Sequence, residues 1–345
     1  MLKDVVILSC LKKNVKNIIN KNIVRLRYKE RMKIRFCVVQ YLYKYIGGDN
    51  VILNISGRTD IVAFYSDWLM NRLYEGFIDV RNPFNPKMVS RIMMDDVDLL
   101  FFCTKNPAPI LDKLKDIKKK VYFHVTLTSY KKDIEPNIPP KGKLIESIKK
   151  LSNIIGKENL VIRYDPIFIS NEYSLDYHVK AFDKLCELLD GYVCKILIHF
   201  IDDYKNVRNN YSTLKYRKLT EKDYEVIGRS FSESAKKHNI VVHTCNEERD
   251  LTEFGFIKDD CISKELAFKL TGKIYKKKWK ARKDLVCQCV EMVDIGVYNS
   301  CKHFCKYCYA NYDEKMVSDN YNKHNPKSSL LIGELSNDDI IKIRK

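Results

Sequence analysis

No run of about 18 uninterrupted apolar residues, the length a membrane helix needs, occurs in the chain, and no apolar block with a small-residue cleavage site opens it. These absences exclude a membrane span and a secretory leader, so the expectation is a cytoplasmic protein with no membrane partner. Glycine is scarce, 12 in 345 residues, and no Gly-x-Gly-x-x-Gly follows a strand-like run, which excludes the dinucleotide-binding fingerprint. Internal repeats and low-complexity blocks are also missing, which argues against a solenoid or a disordered chain. A hydrophobic content of 45% is enough to bury a full core.

Cysteine, by contrast, is plentiful. Twelve in a reducing compartment do not make a disulfide framework. Cys10, Cys37, Cys103, Cys186 and Cys194 sit singly in apolar or mixed stretches, where a thiol serves as a small hydrophobe, and carry no functional reading. The other seven crowd the last third: Cys245, Cys261, Cys287, Cys289, Cys301, Cys305 and Cys308.

The net charge of +18 suits a polyanion, yet its distribution weakens a nucleic-acid reading. Residues 1–50 hold twelve Lys/Arg against three Asp/Glu, half of the total charge, and the rest is spread thinly over a Lys-rich surface. This basic segment has no clean helical stripe and breaks at Gly47-Gly48-Asp49-Asn50. Those four residues can be encoded by a strong ribosome-binding sequence ahead of a GTG start at Val51. The expectation is therefore an extension over 1–50 that is a mis-assigned start, ranked above a basic RNA- or membrane-surface arm.

From Val51 onward, short apolar or β-branched runs alternate with segments of helical period, the pattern of β-α units on a parallel sheet. Strands are expected at Val51 to Ser56, Leu99 to Cys103, Val121 to Leu127, Leu160 to Tyr164, Lys195 to Ile201, Ile240 to Thr244 and Val293 to Tyr298. Helices are expected at Ile61 to Tyr74, Pro109 to Lys118, Lys141 to Ile155, Leu175 to Leu189, Glu221 to Lys237 and Ser263 to Leu270, several behind clear start signals. The fold class is α/β, a complete or partial TIM-like (β/α) barrel over residues 51–333, with 334–345 as a tail.

Polar residues gather just after the expected strands, where a barrel keeps its chemistry. They are Ser56, Arg58, Thr59 and Asp60; Thr104, Lys105 and Asn106; Thr126 and Thr128; Arg163 and Asp165; Asp202 and Asp203; Cys245 and Glu247. Capping and structural ion pairs explain any one of them equally well.

After the last strand comes Cys301-Lys-His-Phe-Cys305-Lys-Tyr-Cys308, a Cys-x3-Cys-x2-Cys loop. Three thiolates from one tight loop can hold a [4Fe-4S] cluster and leave one iron open. In radical SAM enzymes, which use S-adenosylmethionine (SAM), that open iron chelates SAM. Tyr307 suits packing on the adenine, or plain packing. Structural zinc prefers four ligands, so three cysteines favour iron, while a catalytic zinc stays open. Cys245, Cys261, Cys287 and Cys289 supply a candidate second site, for a further iron-sulfur cluster or zinc; inert buried thiols are the alternative.

At these residues the chain resembles a bacterial family of unknown function whose radical SAM-like cysteine motif lies near the C-terminus. The matching words include Ile-Leu-Asn-Ile-Ser-Gly-Arg-Thr-Asp-Ile at 52–61, Val-Arg-Asn-Pro-Phe-Asn-Pro at 80–86 and Thr-Lys-Asn-Pro-Ala-Pro at 104–109. Others are Arg163-Tyr-Asp-Pro-Ile167, Thr244-Cys-Asn-Glu-Glu248 and Asp294-Ile-Gly-Val-Tyr-Asn-Ser-Cys301. The resemblance implies a circularly permuted radical SAM barrel in which the usual first strand comes last. More distantly, the chain is similar to DNA repair photolyases of the spore photoproduct lyase type. Phe304 departs from the glycine expected in the family, and a loop needing positive φ there would be strained.

The expectation is therefore a radical SAM enzyme acting on an unknown substrate and fed by an electron donor such as flavodoxin or ferredoxin. Arg58, Asp60, Lys105, Asn106, Arg163, Asp165 and Tyr307 would line its cavity. The alternative is a metal-stabilised nucleic-acid-binding protein.

Overall fold

The structure, a computed structural model, describes residues 51–275 and 289–344. The expected extension 1–50, with Cys10 and Cys37, and the candidate ligand Cys287 lie outside the described residues.

In chain order the first elements are β1 (Val51–Asn54), α1 (Ile61–Phe64), α2 (Ser66–Glu75), β2 (Phe77–Arg81), β3 (Met88–Met93), β4 (Val97–Thr104) and β5 (Lys120–Thr126). Then come α3 (Lys141–Ile155), β6 (Leu160–Ile167), α4 (Leu175–Leu188), β7 (Lys195–Phe200), α5 (Lys205–Asn209), α6 (Tyr211–Leu214) and α7 (Glu221–Lys237). The chain ends with β8 (Val241–Thr244), β9 (Ile257–Lys258), α8 (Lys264–Thr271), β10 (Val293–Asp294), α9 (Glu314–Asn322) and β11 (Ile340–Ile343).

Eight strands form one sheet in the order β10-β1-β4-β5-β6-β7-β8-β9, and every pairing in it is parallel. The sheet is open among the described residues, so the α/β expectation holds and full barrel closure does not. The last strand of the sheet in sequence, β10, lies beside the first, β1, with Leu53 opposite Val293 and Asn54 opposite Asp294.

Side-chain alternation sorts the strands onto two cores. Leu53, Leu100, Phe102, Phe123, Ile162 and Ile196 face one core with Leu144 and Ile148 of α3, Phe182 of α4 and Phe231 of α7. Ile52, Leu99, Phe101, Tyr122, Val161 and Leu197 face a second, which contains Cys245, Ile262, Cys289 and Met292. Stacked rings lock the first core, Phe102 on Phe123 at 4.2 Å and Phe182 on Phe231 at 3.8 Å. The long helices form where their start signals are best satisfied. Thr220 and Asp223 build a reciprocal capping box on α7, and Ser174 accepts from Tyr177 N at the start of α4.

Four expectations need correction. The helix over Ile61 to Tyr74 breaks at Tyr65, because that ring is buried and its hydroxyl donates to Ser300 O at 2.5 Å. The helix over Pro109 to Lys118 is a 3-10 turn series, Ala108–Asp116. The strand over Val293 to Tyr298 pairs only at Val293–Asp294, after which the chain leaves the sheet to make the cysteine loop. The tail 334–345 supplies β11, which pairs in parallel with β3, while β3 and β2 form an antiparallel hairpin that no sequence signal announced.

Candidate functional site

A cavity of about 300 Å³ opens at the C-terminal ends of the strands, lined by the loops after β1, β4, β6, β7, β8 and β10. Polar residues from loops far apart in sequence meet there because parallel strands all deliver their C-terminal ends to one side.

Cys301, Cys305 and Cys308 all line this cavity. Backbone N–H groups aim at the sulfurs: that of His303 at Cys301, and those of Ala310 and Asn311 at Cys308, the Ala310 contact measuring 3.4 Å. Such donors stabilise negative sulfur. Burial pushes the free thiols up, Cys301 most strongly and Cys305 to about 12, so binding a metal here must expel protons. Phe304 sits at φ 56, a left-handed conformation, so the strain that the resemblance made conditional on positive φ is present.

Two loops hold the cysteine loop in place. The Asp60 carboxylate caps α1 at Ala63 N (3.0 Å) and accepts from Thr104 Oγ1 (2.8 Å), Lys105 N (2.8 Å) and His303 Nε2 (3.0 Å). Its hydrogen-bonding capacity is spent on the scaffold, so it braces the site and does not offer a free carboxylate. Arg58 is likewise engaged, donating to Asp294 Oδ2 at 2.7 Å and to Asp294 O at 3.0 Å. Asp294 also accepts from Gly57 N at 3.2 Å and Gly296 N at 2.8 Å. A Cβ on Gly57 would fall 2.7 Å from the Asp294 carboxylate, which explains a glycine there.

Lys105 lines the cavity and donates to Glu135 Oε1 at 2.9 Å and to the Tyr307 hydroxyl at 2.6 Å. Glu135 also receives Thr128 Oγ1 at 2.7 Å, the Tyr307 hydroxyl and Lys141 Nζ. Burial opposes its ionisation, but Lys105 and Lys141 outweigh that and hold its carboxyl at about 2. Asn106 does not reach the cavity. Its Oδ1 accepts from Ala108 N at 3.2 Å, so it caps the following turn and the expectation that it lines the site fails.

Another part of the wall carries Arg163 and Asp165, which pair through Arg163 Nε and Asp165 Oδ2 at 2.8 Å. Arg163 Nη1 also lies 3.3 Å from Cys261 Sγ. Cys245 and Cys261 bring their sulfurs to 3.5 Å, and the Cys289 thiol hydrogen-bonds to Cys261 as well. Thiol donors from Cys245 and Cys289, with Arg163 and His124 beyond them, hold Cys261 well below the ordinary thiol range. Cys103, read from sequence as a plain core thiol, also lines the cavity.

Sequence reasoning missed Glu135, His199, Asp294, Asn54 and Asn311. His199 lies between Asp202, at 3.1 Å, and Glu247, which outweigh its burial and raise it to about 10. Asn54 and Asp294 fall inside the matching words at 52–61 and 294–301 but carry no spacing that marks them. Glu135, His199 and Asn311 belong to no such word, and His303 could have been read from its place inside the cysteine loop.

Four buried polar atoms on cavity-lining residues have no hydrogen-bond partner: Asn54 Oδ1, Thr59 Oγ1, His303 Nδ1 and Asn311 Oδ1. Unsatisfied buried groups are costly, and these four belong to residues that line one cavity. Among the described residues, no group of three or more His, Cys, Asp or Glu side chains is arranged, as it stands, to hold a metal ion. No helix among them is long and apolar enough to cross a membrane.

Fold and cavity together define an α/β protein with a parallel sheet and a thiol-lined site at the strand ends. The chain belongs to the DUF1848 family, a domain of unknown function, whose model matches residues 52–310. No curated protein matches it.

Proposed function

We propose that this protein is a radical SAM-type iron-sulfur enzyme on a permuted, partial (β/α) barrel, with a [4Fe-4S] cluster on Cys301, Cys305 and Cys308. The observation that carries this reading is the meeting, in one cavity at the strand ends, of three thiols from one short loop with polar residues from the other strand ends. Three loop thiolates with backbone N–H donors suit a cluster with an open iron. The position of β10 beside β1 suits a permuted order.

When bound, the cluster would supply the electron that cleaves the SAM sulfonium to a 5'-deoxyadenosyl radical. The chain's own residues would do the rest. Asn54, Thr59, His303 and Asn311 line the cavity and would surround bound SAM with polar side chains. Lys105 and Glu135 fix the Tyr307 ring on the wall. Asp60 and Asp294 hold the cysteine loop against the loop after β1. A cytoplasmic flavodoxin- or ferredoxin-type donor would provide the electron.

Anaerobic reconstitution with iron and sulfide tests the reading. The expected product is a brown protein with about four irons per chain on this loop, cleaving SAM to 5'-deoxyadenosine after reduction. The Cys301, Cys305, Cys308 triple-alanine variant loses those irons. A folded wild type that takes up no iron, or holds iron and leaves SAM intact, overturns it.

A further inference from the structure

Beside the cavity lies a second set of thiols that the proposed reaction does not use, with Cys245 and Cys261 on the cavity wall and Cys289 in the core behind it. Cys245 follows β8, Cys261 follows β9 and Cys289 precedes β10, so they come from three separate segments. Val290 N donates to Ile262 O at 3.0 Å and ties the last two segments together. Cys245 and Cys289 are only 3% and 2% exposed.

Their spacing discriminates between the chemistries open to a thiol cluster. Tetrahedral thiolates about 2.3 Å from a zinc-like ion stand roughly 3.8 Å from one another. Disulfide sulfurs stand at about 2.05 Å. Thiolates of an iron-sulfur cluster bind different irons and stand well beyond either separation. The Cys245 and Cys261 sulfurs are 3.5 Å apart, close to the edge of a single-ion site. Charge points the same way. Three thiolates around a divalent ion leave a net negative charge, and the Arg163 guanidinium, 3.3 Å from Cys261 Sγ, is placed to offset it.

We infer that Cys245, Cys261 and Cys289 are three ligands of a site for one soft divalent ion of the zinc class, at the border of the same cavity. Binding replaces the S–H contacts among the three sulfurs by metal–sulfur bonds, draws the sulfurs into closed geometry and releases the thiol protons to solvent. The site would fasten β8, β9 and the approach to β10, the segments at the two edges of the open sheet. It also positions Arg163 against Asp165. None of this depends on the proposed radical chemistry.

The test uses the full chain with Cys301, Cys305 and Cys308 changed to alanine, reduced and titrated anaerobically with Co(II) as a spectroscopic stand-in for zinc. The expected result is one equivalent bound, with thiolate-to-cobalt charge-transfer bands and tetrahedral d–d bands, displaced by zinc. Both sets of bands vanish in a further Cys245→Ser/Cys261→Ser variant and persist in a Cys194→Ser control. If the triple variant does not fold, elemental analysis of the wild type carries the same test, with one zinc expected beside the iron. The inference is overturned by a folded protein that binds no ion, by uptake of iron with sulfide at these three cysteines, by a Cys245–Cys261 disulfide in the isolated protein, or by cobalt bands that survive the double serine change. Loss of SAM cleavage alone would count against the proposed enzyme and leave the cobalt result standing.

Discussion

His303 Nε2 donates to Asp60 Oδ2 at 3.0 Å across 243 positions of sequence, and this buried pair fastens the cysteine loop to the loop after β1. The same carboxylate receives Thr104 and Lys105, so one residue joins three strand ends.

Replacing that carboxylate by an amide should loosen all three. Asp60→Asn cannot accept from four donors, and the variant is expected to lose roughly 2–4 kcal/mol of stability in urea unfolding. Reconstituted iron should fall with it, while Asn106→Ala, outside the cavity, leaves iron content unchanged.

Glu135 gives the protein an acid limb. Its folded carboxyl lies at about 2 against an ordinary 4.5, so its contribution is complete above pH 4.5 and is lost as the pH falls through about 2. The slope of unfolding free energy over that window should flatten in Glu135→Gln, whose stability at neutral pH is lower by up to about 3 kcal/mol. An unchanged acid slope would show that Lys105 and Lys141 do not hold the carboxylate.

His199 acts in the opposite direction. Raised from 6.5 to about 10 by Asp202 and Glu247, it contributes stability that is full below pH 6.5 and disappears as the pH rises through about 10. Imidazole NMR should find His199 still protonated at pH 8. His199→Gln should remove a few kcal/mol of alkaline pH dependence.

Phe304 pays for its left-handed backbone at φ 56. Phe304→Ala removes the ring and keeps the strain, whereas Phe304→Gly removes both. The glycine variant is therefore expected to be more stable than the alanine variant by about 1 kcal/mol in thermal or urea unfolding. Equal stabilities would mean the loop relaxes to negative φ.

Much of the architecture is legible in local pattern. Lys141–Ile155 and Glu221–Lys237 carry their period and start signals within one segment, and the helices form at those residues. Tyr65 shows where such reading stops. Its segment has a helical period, but a hydroxyl partner at Ser300, distant in sequence, is served by a break in the helix. The β2–β3 hairpin and β11 escaped because their pairing lies between segments with weak alternation, and only the paired backbone reveals it. Asn106 shows the other failure. A strand-end polar residue can face a cavity or cap a turn, and sequence position does not distinguish the two.

By itself, the sequence determined the α/β alternation and the three-cysteine loop, because spacing, turn chemistry and side-chain period are properties of neighbouring residues. Tertiary structure alone decided that the sheet stays open among the described residues and that β10 pairs with β1. It also decided that Asp60 and Arg58 are spent on His303 and Asp294, and that Cys245, Cys261 and Cys289 meet beside Arg163. Each of those depends on which distant strand ends share one side of the sheet, and no local window contains that information.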